Sequence, residues 1–235
     1  MTWIQFSHGF RLDPIAKGPP EALVVLLHDL GASAATLISV AARWATTVPT
    51  TAFIVLEKIE QRDPRSCGVP LSPKPTVISC VTRHLELLLE HQLNSCRLDA
   101  SRLVLVGFGY GGTLALNMLL RQGWSCGVLA FSAELTRPLP RVLRGGHKVR
   151  LIECVGDGHA GKTSLRDAVT LLTGRGMDTR GVVLASSAQS DEAIRHGGAY
   201  LVELVATAQR GERYHFNSER SDAQLRLRLL FRHLG

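Results

Sequence analysis

Leu103-Val104-Leu105-Val106-Gly107-Phe108-Gly109-Tyr110-Gly111-Gly112 is the stretch on which the fold turns. Four aliphatic residues in a row suit a short strand buried on both faces. The glycines that follow allow a sharp turn with no side chains to obstruct it. Beyond them Leu114, Leu116, Leu119 and Leu120 recur at helical spacing. The segment therefore predicts a strand that passes through a tight turn directly into a helix.

The same grammar extends in both directions. Short, continuous apolar runs at Ala22–Leu27, Thr51–Leu56, Gly127–Phe131, Val149–Val155 and Gly181–Ala185 read as further strands buried on both faces. Between them lie amphipathic patterns at about Ala34–Ala45, Thr76–Asn94, Gly112–Gln122, Lys162–Gly174 and Asp191–Ala208. Alternation of this kind predicts an α/β fold with a mostly parallel sheet covered by helices. Asp63–Pro75, with four prolines and no consistent period, reads as a surface loop. We expect one domain over residues 1–210, followed by a basic amphipathic helix over 211–235 whose apolar face carries Leu227, Leu230, Phe231 and Leu234.

Composition narrows the class. Of 235 residues 45% are hydrophobic and 20% charged, a balance suited to a globular chain rather than a disordered one. The net charge of +7 comes from scattered Lys and Arg and predicts a solvated surface, not a nucleic-acid site. Five cysteines, Cys67, Cys80, Cys96, Cys126 and Cys154, form no CxxC pair and no metal spacing with His, which fits reduced thiols in a cytoplasmic protein. His8, His84, His91, His147, His215 and His233 also lack mutual ligand spacing, so no metal and no cofactor is expected. No apolar run is long enough for a membrane span.

A strand, a glycine-rich turn and a helix are also the layout of a nucleophile elbow. Here the chain resembles the phospholipase/carboxylesterase family of α/β-hydrolases, whose corresponding segment reads Gly-Phe-Ser-x-Gly-Gly. The resemblance runs over roughly residues 20–208. It implies an α/β-hydrolase fold, a three-layer sandwich whose crevice lies at the carboxyl ends of the strands. It also places Gly109 at the nucleophile position. His28-Asp29-Leu30-Gly31 resembles the family's His-Gly-x-Gly segment, so that the backbone N–H groups of Leu30 and Tyr110 would form the oxyanion hole. Asp29 stands in place of the first of those glycines and would set a negative charge where an oxyanion must form. Gly156-Asp157 resembles the strand end that carries the triad acid, making Asp157 the acid position. After the last strand, where the family has Gly-His, this chain has Ser186-Ser187, so Ser187 stands at the base position.

With nucleophile and base both replaced, the expectation is a catalytically inactive homologue that binds a small acyl or ester-like ligand or a protein partner, and that could pair as a homodimer. One alternative is an active serine-type carboxylesterase or thioesterase whose nucleophile was replaced by Gly109 or whose chemistry was reassigned. A second comes from Gly156-Asp157-Gly158-His159-Ala160-Gly161-Lys162-Thr163, which satisfies the phosphate-loop pattern between a strand and a helix and would make the chain a nucleotide-binding protein. That loop follows a late strand instead of the first, and the acid loop of the hydrolase fold explains the same residues.

Overall fold

The computed structural model describes residues 1–57, 75–123, 125–136, 139, 146–155 and 164–210. Its chain order is β1 (Trp3–Phe6), β2 (Gly9–Leu12), β3 (Ala22–Leu27), α1 (Ala34–Ala45), β4 (Thr51–Leu56), α2 (Pro75–Cys96), β5 (Leu103–Phe108), α3 (Tyr110–Gln122), β6 (Gly127–Phe131), β7 (Lys148–Cys154), α4 (Leu165–Thr173), β8 (Asp178–Leu184) and α5 (Asp191–Arg210). All eight strands join one sheet in the order β1-β2-β4-β3-β5-β6-β7-β8. From β4 to β8 neighbours run parallel, whereas β1–β2 and β2–β4 are antiparallel. The chain therefore has the mostly parallel, helix-covered sheet that its strand and helix pattern predicts, in the α/β-hydrolase arrangement that the resemblance implies.

The strands in the middle are apolar throughout because both faces are covered. Val24, Leu26, Val104, Val106 and Leu129 pack beneath α1 and α5 on one side. Their neighbours Leu23, Val25, Leu103, Leu105 and Val128 pack beneath α2, α3 and α4 on the other. Alternate residues of one strand thus feed two separate cores, as the period of two requires. Burying such a side chain contributes about 1.5–3 kcal/mol. The outer strands follow a different pattern: Ile4 on β1 and Val183 on β8 are exposed.

Several element bounds differ from the sequence reading by one to three residues, the start of β8 at Asp178 most clearly, and one hairpin is added. The β1–β2 hairpin was not expected, since Trp3–Leu12 alternates weakly and Ser7-His8 is not a strong turn pair. Helix α2 starts at Pro75, a residue whose fixed φ suits a first helical position. The turn at Asp99-Ala100-Ser101 is a short 3₁₀ segment that Asp99 caps through Ser101 N. At the end of α4, Gly174 is right-handed and the left-handed residue is Gly176 (φ +83°). The helix expected over 211–235 lies outside the described residues.

Candidate functional site

The turn between β5 and α3 is closed by backbone contact. A Cβ on Gly107 would overlap the backbone of Gly111, so these two segments approach as closely as glycine permits. At the apex Gly109 has φ +51° and ψ −117°, a conformation that costs a side-chain-bearing residue about 1–3 kcal/mol and glycine almost nothing. Gly109 N donates to Phe131 O at 2.8 Å, which ties the apex to the end of β6. Below it Phe108 and Phe131 stack at 4.3 Å between centroids.

The space above the apex is filled by Asp29. A Cβ on Gly109 would overlap Cγ and both carboxylate oxygens of Asp29. Asp29 Oδ1 accepts hydrogen bonds from Leu30 N and from Tyr110 N, each at 2.8 Å. Leu30 N, Tyr110 N, Asp29 and Gly109 are therefore brought together, and both backbone donors point at one carboxylate oxygen. Tyr110 opens α3, where free N–H groups and the helix dipole favour a negative charge. Burial pushes the Tyr110 phenol above its ordinary value.

Surrounding groups hold this arrangement. His28 Nδ1 lies 2.6 Å from Asp29 O and its Nε2 lies 3.0 Å from Glu57 O, so the ring bridges the ends of β3 and β4. Thr113 N donates to Gly109 O at 3.1 Å, and Thr113 Oγ1 accepts from Glu134 N at 2.9 Å. Thr136 Oγ1 donates to Asn117 Oδ1 at 2.7 Å, so α3 also anchors the chain leaving β6. The sequence reading missed His28 as a bridge and missed Ser132, which directly follows β6 with φ +45°. A serine gives no sequence signal for that conformation.

The remaining sequence expectations divide. Ser187 lies after β8, and its carbonyl accepts from Ser190 N at 3.0 Å ahead of α5. Ser186 Oγ donates to Glu192 Oε2 at 2.9 Å. Among the described residues no side-chain hydrogen bond links Ser187 to Asp29 or Gly109. Asp157, together with the whole phosphate-loop pattern over residues 156–163, lies outside the described residues. Cys96, Cys126 and Cys154 are buried. Among the described residues no cluster of three His, Cys, Asp or Glu is placed to hold a metal, and no helix is long and apolar enough to cross a membrane.

The sheet, with its tight turn after the fifth strand, finds its relatives accordingly. The family described as Phospholipase/Carboxylesterase matches residues 15–140, and the chain belongs to it. An uncharacterized hydrolase of Mycosarcoma maydis is 27% identical over 130 residues, which span 50% of this chain and 48% of that protein. The match thus covers about half the length of that relative. Among solved structures, esterase PE8 superposes with a TM-score of 0.69 at 22% identity, over 84% of this chain and 98% of that one. A carboxylesterase from Mesorhizobium loti superposes with a TM-score of 0.66 at 20% identity, over 82% and 93%. These likenesses concern the fold.

Proposed function

We propose that this member of the family is catalytically silent and uses the crevice at the carboxyl ends of its strands to bind a small acyl or ester-like ligand or a protein partner. The observation that carries the reading is the Asp29 carboxylate, which accepts both N–H groups that would otherwise face a developing oxyanion. An acyl-transfer site needs those donors empty and a nucleophile below them. Here an internal anion takes the donors, and Gly109 supplies no nucleophile. Ser187 in place of an imidazole removes the general base, and groups of a triad act as a unit. Buried, reduced Cys96, Cys126 and Cys154 fit a cytoplasmic setting.

The test is hydrolysis of short p-nitrophenyl esters by the full chain, by Gly109→Ser and by Asp29→Gly/Gly109→Ser. We expect no turnover above buffer from the first two. Burst kinetics or turnover from the native chain would overturn the reading, as would activity from Gly109→Ser alone, since a base would then have to face the elbow.

A further inference from the structure

The His28 ring joins two strand ends, and both of its contacts are of the same kind. It follows β3 directly and stands partly buried between that strand end and the end of β4. Nδ1 lies 2.6 Å from Asp29 O and Nε2 lies 3.0 Å from Glu57 O. A carbonyl oxygen can only accept, so each contact is a hydrogen bond only where the ring nitrogen carries a proton. The neutral imidazole has one N–H and one lone pair, whereas the imidazolium has an N–H on both nitrogens. Only the imidazolium therefore matches both partners. The neutral ring must turn a lone pair toward one of the two oxygens.

What the ring holds is the turn of Asp29. Asp29 gives its carbonyl to His28 Nδ1 and its Oδ1 to Leu30 N and Tyr110 N, each at 2.8 Å. The bridge to Glu57 thus fixes the backbone from which that carboxylate projects. Helix α3 presses on the same point, since a Cβ on Gly111 would overlap Leu27 O and His28 O. Among the described residues, the titratable groups on the elements around the ring are Asp29 on its own loop, Glu57 after β4, Tyr110 at the start of α3, and His8, whose carbonyl accepts from Glu57 N at 2.9 Å. Carboxylates ordinarily change charge below about pH 5 and phenols above about pH 9, and burial moves Tyr110 further up. Between those limits the two imidazoles are the groups of this set that respond.

We infer that His28 is a pH-sensitive clamp on the Asp29 turn. The doubly protonated ring ties Asp29 O to Glu57 O and seats the Asp29 carboxylate on Leu30 N and Tyr110 N. Loss of one ring proton opens the bridge at one end and loosens that seat. Protonation favours the closed clamp, so closure holds on the acid side of the imidazole range and fades as pH rises through it. The clamp acts on the loop and not on turnover, and it stands whether or not the crevice is silent.

The experiment follows the full chain by NMR from about pH 5 to about pH 8. Long-range proton–nitrogen correlation of the imidazoles should show both His28 ring nitrogens protonated at the acid end, with one of them losing its proton across the range. The Leu30 and Tyr110 amide signals should shift with the same midpoint. Their hydrogen-exchange protection, corrected for intrinsic pH dependence, should fall about fivefold toward the alkaline end, the loss expected of one hydrogen bond. In His28→Asn the shift and the fall should vanish, and in His8→Asn both should persist. A His28 ring whose proton count does not change across the range would overturn the clamp. So would Leu30 and Tyr110 signals that ignore the His28 midpoint, or an inflection that survives His28→Asn or is lost in His8→Asn. The ring measurement needs no substitution, so it decides the matter even where His28→Asn fails to fold.

Discussion

Two ends of the same sheet bring carboxylates inward, and they do so by opposite means. At the carboxyl end Asp29 is held by two backbone N–H groups, with no cation in the described hydrogen bonds of its carboxylate. At the amino end Arg150 is wholly buried and gathers two carboxylates around its guanidinium. Its Nη2 donates to Asp178 Oδ2 at 2.9 Å and to Glu203 Oε1 at 2.6 Å, and Nε reaches Glu203 Oε2 at 3.0 Å. Lys148 adds a second cation, 3.2 Å from Asp178 and 3.3 Å from Glu203. The Tyr200 ring lies 5.9 Å from the guanidinium carbon. Charges at the amino end are paired with charges and tie β7, β8 and α5 together. The charge at the carboxyl end is paired with dipoles in a place where the fold elsewhere leaves room for chemistry. A buried ion cluster is thus a joint, and the carboxylate at the other end is held by backbone N–H groups alone.

The largest effect should come from breaking the joint. Arg150→Ala strands Asp178 and Glu203 beside a lost partner and empties a fully buried position. Truncating a large, fully buried side chain costs about 2–5 kcal/mol, and the two carboxylates left behind are partly exposed and keep Lys148, so a urea titration should show a loss of that order, mostly from packing. A loss below about 1 kcal/mol would mean that the guanidinium holds nothing that water cannot replace.

The Asp29 carboxylate makes a second, smaller prediction. Gly109→Ser places a side chain at φ +51° and drives its Cβ into Asp29, so it should destabilise by about 2–3 kcal/mol. Asp29→Gly removes the obstruction but not the backbone strain. The double variant should therefore be more stable than the sum of the single changes, with a coupling of about 1 kcal/mol or more in a double-mutant cycle. Additive effects would show that Asp29 turns aside freely and does not plug the elbow.

These two ends also differ in how much the sequence discloses. The elbow is legible because its information is local: a strand, a glycine turn and a helix fall within twenty residues, and Asp29 stands in a segment that resembles a recognisable one. The direction of the Asp29 carboxylate onto Leu30 N and Tyr110 N could be anticipated, because both donors are backbone groups at fixed turns. The Arg150 cluster was not legible. Val149–Val155 reads as an apolar strand, and Arg150 finds its partners on β8 and α5, 28 and 53 residues further along the chain.

The smallest effect concerns acid. The hydrogen bond from Arg150 lowers Asp178 below the ordinary carboxylate range, and it does the same for Glu203, against a desolvation that works the other way. Groups that bind protons less readily when folded stabilise the protein above their unfolded pKa and lose that contribution as pH falls through the folded value. The midpoint of thermal unfolding should therefore hold steady down to about pH 4 and drop below it. Asp178 and Glu203 retain 39% and 30% of their side-chain exposure, so solvent screens the pair and the drop should be modest. In Arg150→Ala the same titration should become shallower, because the larger of the two cationic influences on both carboxylates is gone and Lys148 alone remains. An acid slope that survives the substitution would assign it to other carboxylates and leave the joint held by hydrogen bonds and packing instead of charge.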